Sequence, residues 1–63
     1  MQKLIKKIRE YLKLSQADFA EKLGVTFATI NRWENGHANP TKLAQATLYE
    51  YCKSQNVPVY DMI

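Results

Sequence analysis

Apolar side chains recur along the first part of the chain with the period of a helix. Near the N-terminus they fall every three or four positions, so that they share one stripe of a helix while the lysines lie elsewhere. The stripe consists of Leu4, Ile5, Ile8, Tyr11 and Leu12. Arg9 lies at the edge of this stripe. The pattern predicts a first helix over roughly residues 2 to 13, with its apolar face toward a core.

The next segment carries a start and a stop signal for a second helix. Ser15 has a side chain suited to an N-cap, and Asp18 stands three positions later, where a capping-box partner belongs. Gly24 follows the apolar Leu23, at the position where a left-handed C-cap favours glycine. We therefore predict a second helix over about residues 16 to 23.

A third helix repeats these signals at once. Thr26 can cap a helix that begins at Phe27, and Gly36 marks its end. At about 100° per residue, Ile30 and Trp33 share one side of this helix and point inward. The other side carries one small residue, two amides and a guanidinium, with no acid: Ala28, Asn31, Arg32 and Asn35.

Two capped helices joined by a glycine turn, over about residues 15 to 36, are typical of a helix-turn-helix, whose second helix can enter the DNA major groove. The outward face of the third helix has suitable chemistry for this role. The guanidinium fork of arginine matches guanine, and amides match adenine. A merely solvated polar face is the alternative; the capped helix that precedes it favours DNA binding.

Three segments resemble the lambda-repressor-like DNA-binding domains of the Cro and phage-repressor superfamily, often called the XRE family. They are Leu-Ser-Gln at 14–16, Leu-Gly-Val at 23–25 and Ile-Asn-Arg-Trp-Glu-Asn-Gly at 30–36. The resemblance extends from about Ile5 to Met62. It implies a single domain over residues 1–63, with an all-α fold: a compact bundle of four to five helices with the helix-turn-helix at the second and third.

The resemblance also implies roles for individual residues, beside what their chemistry suggests. We expect four side chains of the third helix to read base edges: Phe27, Ala28, Asn31 and Arg32. Phe27 departs from the polar residue common in the family, so that packing at the surface is its alternative role. We expect three residues to position the DNA backbone, one of them at the anion-favouring start of the second helix: Gln16, Thr26 and Asn35.

An ion pair between Arg9 and Glu34 is a further implication of the resemblance. It would join the first helix to the third and hold the recognition helix in orientation. A free Arg9 at the surface is the alternative, because exposed pairs contribute only about 0 to 1 kcal/mol.

Helix signals continue to the end of the chain. Asn39 can cap a fourth helix that starts at Pro40 and runs to about Lys53. Its predicted inward stripe is Leu43, Ala44, Thr47, Leu48 and Tyr51. Asn56 can end this helix in the left-handed conformation, and the resemblance implies a short fifth helix after it. In that last segment Val59, Met62 and Ile63 either cap the core or form an apolar patch for a partner.

Charge is distributed unevenly along the chain. The net charge is +3, yet residues 1–13 hold five basic side chains and one acidic one, against four basic and five acidic in the remainder. The basic excess therefore lies in the first helix. It forms either a solvated face or a contribution to DNA attraction. His37 stands where many relatives carry a lysine near phosphate, and we expect it to be an exposed loop residue.

Composition narrows the remaining classes of function. A chain of 63 residues with one cysteine has a single small core and no internal disulfide. Cys52 and His37 fall short of a four-ligand zinc site. We expect no metal, no cofactor and no enzyme activity, because paired carboxylates and a phosphate-cradling glycine loop are missing. Without a signal peptide or a long apolar run, the chain is expected to be cytoplasmic and not membrane-bound.

The sequence thus predicts a protein that binds double-stranded DNA sequence-specifically. A transcriptional regulator that acts as a homodimer on an inverted-repeat operator is the first hypothesis. Two alternatives remain open at this stage. The chain could be the DNA-targeting module of a toxin–antitoxin, restriction-control or fused enzyme system, or a protein-interaction domain that keeps the fold without DNA contacts.

Overall fold

The computed structural model describes all 63 residues, and its regular elements are five α-helices without a β-strand. The helices are α1 (Gln2–Tyr11), α2 (Gln16–Leu23), α3 (Phe27–Glu34), α4 (Lys42–Ser54) and α5 (Val59–Met62). The prediction of an all-α bundle of four to five helices, with a helix-turn-helix at the second and third, is confirmed.

The predicted caps determine the limits of α2 and α3. The Ser15 hydroxyl accepts a hydrogen bond from the backbone N–H of Asp18 at 3.0 Å, and the Thr26 hydroxyl accepts one from the N–H of Thr29 at 3.2 Å. Gly24 ends α2 with φ +72°, in the left-handed region that glycine adopts without steric cost. Both helices begin and end where the sequence places them.

The first helix is shorter than predicted. Lys13 adopts a left-handed conformation with φ +58°, and the N–H of Leu14 bonds to the carbonyl of Arg9 at 3.1 Å, which is a helix-terminating pattern. The prediction that the helix continues to about residue 13 is therefore wrong. Tyr11 is 52% exposed rather than buried. Since the terminating residue is a lysine and not a glycine, the sequence carries no ordinary stop signal there.

The start of α4 also differs from the prediction. Thr41, not Asn39, is the N-cap, and its hydroxyl accepts a hydrogen bond from the N–H of Ala44 at 3.2 Å. Pro40 lies outside the helix and is buried. Either residue has a capping side chain, but only Thr41 is placed to reach the first turn once Pro40 packs inward.

The inward face of α4 is rotated from the predicted stripe. Leu43 is 79% exposed, and Thr47 is also exposed, whereas Cys52 is 1% exposed. Ala44, Leu48 and Tyr51 do lie toward the core, as predicted. The prediction failed for Leu43 and Thr47 because hydropathy alone does not say which side of α4 meets the neighbouring α2.

The core is a single cluster built from α1, α2, α3, α4 and the segment between α4 and α5. Ten buried residues form it: Ile5, Ile8, Phe19, Ala20, Leu23, Ile30, Trp33, Leu48, Cys52 and Val57. The rings of Phe19 and Tyr51 pack at a tilt, with centroids 6.5 Å apart. At the C-terminal end Asn56 is left-handed, as predicted. Val59 and Met62 pack against the core, so the capping interpretation holds for them, while Ile63 is 83% exposed.

The packing partners of the helices position the helix-turn-helix. The α2 and α3 helices pack on each other; α1 packs against both α3 and α5, and α4 packs against α2. The α3 helix is thus held in the bundle by both α1 and α2. None of the five helices combines the length and the apolar character that a membrane crossing requires.

Candidate nucleic-acid interface

The two sides of α3 differ in exposure as the sequence predicts. Ile30 is completely buried and Trp33 is 6% exposed. On the opposite side Phe27 is 53% exposed, and Ala28 and Arg32 are exposed as well. The side chain of Arg32 makes no hydrogen bond or salt bridge within the chain, so that its guanidinium is free for an external partner.

Arg9 and Glu34 form the predicted ion pair. The guanidinium donates from Nε to Glu34 Oε2 at 2.7 Å and from Nη2 to Oε1 at 3.0 Å, a two-point contact that fixes both side chains. A third donor, Nη1, bonds to the backbone carbonyl of Leu14 at 3.0 Å. The side chains are 16% and 4% exposed, respectively. Through these bonds Arg9 links α1 to the loop that precedes α2 and to the end of α3.

The electrostatics of this pair follow from its surroundings. Burial by itself raises the pKa of the Glu34 carboxyl, but hydrogen bonds from Arg9 and Gln16 and the positive charges of Arg9 and Lys6 outweigh it, and the pKa is lowered overall. The hydrogen bond to Glu34 raises the pKa of Arg9, against a smaller opposing effect of burial. Both groups are thus held in their charged forms at neutral pH.

A chain of amide side chains continues from this pair to the surface. Gln16 donates from Nε2 to Glu34 Oε1 at 3.2 Å, and its own Oε1 accepts from Asn31 Nδ2 at 3.3 Å. Asn35 Nδ2 in turn donates to Asn31 Oδ1 at 3.1 Å. We call this run, from Arg9 through Glu34, Gln16 and Asn31 to Asn35, the amide relay. It holds five of the nine predicted site residues together in one network.

The amide relay separates the site residues into two groups. Gln16 and Asn31 each use one donor and the carbonyl oxygen inside the relay, so that each amide is oriented while one N–H remains for another partner. Phe27, Ala28 and Arg32 lie outside the relay, and Thr26 is engaged at the start of α3 with Thr29. The site therefore combines a rigid polar row with a free guanidinium beside it.

Sequence reasoning missed the contacts that Gln16 makes within the chain. The sequence suggests only that the Gln16 amide contacts the DNA backbone. Nothing in the sequence distinguishes a residue that contacts phosphate from one that bridges Glu34 and Asn31. The spacing of Asn31 and Asn35, four positions apart on one helix, was a signal for their mutual hydrogen bond. The links of Gln16 depend on the packing of α2 on α3.

Cys52 is not part of this site, and the site has no group of metal-ligating side chains. No three His, Cys, Asp or Glu side chains are grouped so as to hold a metal ion. Cys52 is buried in the core, where burial raises the pKa of its thiol.

The fold and the exposed polar side of α3 define a DNA-binding helix-turn-helix domain. A family model described as helix-turn-helix matches residues 5–58, which is most of the chain. The chain belongs to this family, the lambda-repressor-like or XRE-type helix-turn-helix domains, which are DNA-binding domains and not enzymes. No curated protein and no solved structure matches the chain.

Proposed function

We propose that this protein is a sequence-specific transcriptional regulator that inserts α3 into the major groove of double-stranded DNA. The observation that carries the proposal is the contrast on α3 between side chains held by the amide relay and an exposed, unpaired Arg32 beside them. A helix that reads bases needs an orientation set by the protein and donors that the protein does not use. Both requirements are met on one face.

Base reading is assigned to the exposed side of α3. Arg32 presents the guanidinium fork that matches the O6 and N7 atoms of guanine. Ala28 and Phe27 offer apolar contacts to a thymine methyl group, supported by the exposure of both. Asn31 has one amide hydrogen left after its bond to Gln16, and this hydrogen can meet a base acceptor.

Backbone positioning is assigned to Gln16, Thr26 and Asn35. Each lies at an end of α2 or α3, where the helices would approach the rims of the groove. Gln16 and Asn35 are the two members of the amide relay adjacent to Asn31. A phosphate bound at either side would therefore fix the register of α3 on the duplex.

We further propose that the protein acts in the cytoplasm as a homodimer on an inverted repeat. An apolar groove between α4 and α5 supports self-association, since Tyr60 and Ile63 at its rim are 94% and 83% exposed. The same groove contains Lys53 and Asp61, so a twofold arrangement can match each charge with its opposite on the partner. Two recognition helices related in this way enter successive major grooves, about 10 bp apart.

Selection of binding sites from a random pool of duplex DNA tests the proposal. We expect an inverted repeat with half-sites about 10 bp apart, and affinity for the selected site that falls steeply with salt. Arg32→Ala should weaken binding to that site by about 1 to 3 kcal/mol and relax the preference at one base position. Lys22→Ala is the matched control, because it removes an exposed positive charge from α2 outside the site.

One outcome would contradict the proposal as a whole, and a second would contradict the role assigned to Arg32. Equal, weak and salt-sensitive binding to selected and scrambled duplexes would exclude sequence-specific reading and favour a protein-interaction domain. An unchanged base preference in Arg32→Ala would remove this residue from the reading set while leaving DNA binding itself in place.

A further inference from the structure

The lysines of α1 divide between two edges of the helix. At about 100° per residue, Gln2, Lys6 and Arg9 share one edge, and Lys7 falls about 100° away from Lys6. Both lysines are exposed. The two edges have different neighbours, and the difference decides what each lysine can reach.

The edge with Lys6 borders the end of α3. One turn before Lys6, the Gln2 amide lies so close to Gly36 that a Cβ atom added to this glycine would stand 2.7 Å from Gln2 Oε1. One turn after Lys6, Arg9 is paired with Glu34. Lys6 is therefore bracketed by two contacts with the C-terminal end of α3. Its charge also acts on the Glu34 carboxyl, which agrees with this placement.

Lys7, on the other edge of α1, has a different neighbour. Its Nζ atom lies 3.4 Å from the backbone carbonyl of Met62, at the C-terminal end of α5. Its neighbour is thus α5, whereas Lys6 borders the end of α3. The two neighbouring lysines form a natural pair for comparison.

The charge of Lys6 has no partner within the chain. Glu34 already accepts two hydrogen bonds from Arg9 and one from Gln16. Glu10, one turn along α1, forms no salt bridge with Lys6, since the pair of Arg9 and Glu34 is the only one in the structure. On this edge the positive charge of Arg9 is matched, and that of Lys6 remains to attract an anion.

We propose that the DNA-contacting surface continues from α2 and α3 onto α1, where Lys6 binds a backbone phosphate. The inference rests on the proposed function. Lys6 borders the end of α3 that carries Asn35, which is assigned to the DNA backbone, and the amide relay connects that end to Gln16. A flexible ammonium group at this border can reach the strand that runs past both amides. Among the basic residues of the first helix, this proposal gives a DNA contact to Lys6 alone.

The test compares Lys6→Gln with Lys7→Gln, which remove the same charge from adjacent positions. Binding to the selected duplex and to a scrambled duplex is measured between 50 and 200 mM salt. In a plot of the logarithm of the association constant against the logarithm of the salt concentration, loss of one phosphate contact makes the negative slope shallower by about 0.9 per subunit. For Lys6→Gln, the affinity deficit relative to the unmodified protein should therefore shrink about 3.5-fold per subunit over this fourfold range of salt. The deficit should be similar for both duplexes, because a phosphate contact carries no direct base information.

The outcomes distinguish this inference from the proposed function. Equal slopes for Lys6→Gln and Lys7→Gln, with sequence-specific binding retained, would overturn the role of Lys6 and leave the proposed function intact. A changed base preference in Lys6→Gln would also overturn it. If the unmodified protein does not bind duplex DNA, both proposals fail. Thermal unfolding of both variants serves as the folding control, since exposed substitutions change stability by less than about 0.5 kcal/mol.

Discussion

Removal of Arg9 is the perturbation whose effect follows most directly from the structure. Arg9→Ala leaves the Glu34 carboxylate with its side chain 4% exposed and with a single remaining hydrogen bond, from Gln16 at 3.2 Å. Breaking a buried ion pair on one side destabilises a protein by about 3 to 5 kcal/mol. Because Arg9 itself is 16% exposed and water can enter the space it vacates, we expect the lower end, about 3 kcal/mol.

This loss is large for so small a domain. At about 0.05 to 0.15 kcal/mol per residue, a chain of 63 residues unfolds with a free energy of about 3 to 9 kcal/mol. A loss of 3 kcal/mol corresponds to a decrease in Tm of about 12 °C or more. Glu34→Ala should cost less, about 2 kcal/mol, because Arg9 keeps its bond to the Leu14 carbonyl and is the more exposed partner.

The assay is a double-mutant cycle measured by thermal and urea unfolding. We expect the double variant Arg9→Ala/Glu34→Ala to lose about 1.5 kcal/mol less unfolding free energy than the sum of the losses of the two single variants. Lys3→Ala is the control on the same helix, with an expected change below about 0.5 kcal/mol. Additivity of the two single losses within about 0.3 kcal/mol would refute the reasoning and place both side chains in solvent.

Two further predictions concern the same network. The pKa of Glu34 is lowered in the folded protein, so the stabilising contribution of its carboxylate is present above its unfolded pKa of about 4.3 and is lost as the pH falls below that value. The difference in Tm between the unmodified protein and Glu34→Gln should therefore shrink below about pH 4. A difference in Tm that persists to strongly acid pH would contradict the assignment. Gln16→Ala and Asn35→Ala should weaken binding to specific and scrambled duplexes by similar factors, as measured by titration at fixed salt. A shift in the selected motif for either variant would show that the replaced residue also orients a base-reading side chain.

The sequence alone determined the helix-turn-helix, because its signals are local. Ser15, Gly24 and Thr26 act within one turn of their own helix, so each cap could be assigned without knowledge of the rest of the molecule. The inward side of α3 followed from the helical period, since Ile30 and Trp33 are large and apolar while the opposite side is polar. The family pattern added the Arg9–Glu34 pair, which joins residues that are far apart in the chain.

Tertiary packing decided what local signals leave open. Lys13 ends α1 although it is not a glycine, and Thr41 caps α4 although Asn39 offers an equivalent side chain. The face of α4 that is buried depends on its docking against α2, and this docking buries Cys52 and exposes Leu43. The amide relay and the different neighbours of Lys6 and Lys7 arise in the same way. They depend on contacts between helices, whose distances and directions are fixed only when the helices pack on one core.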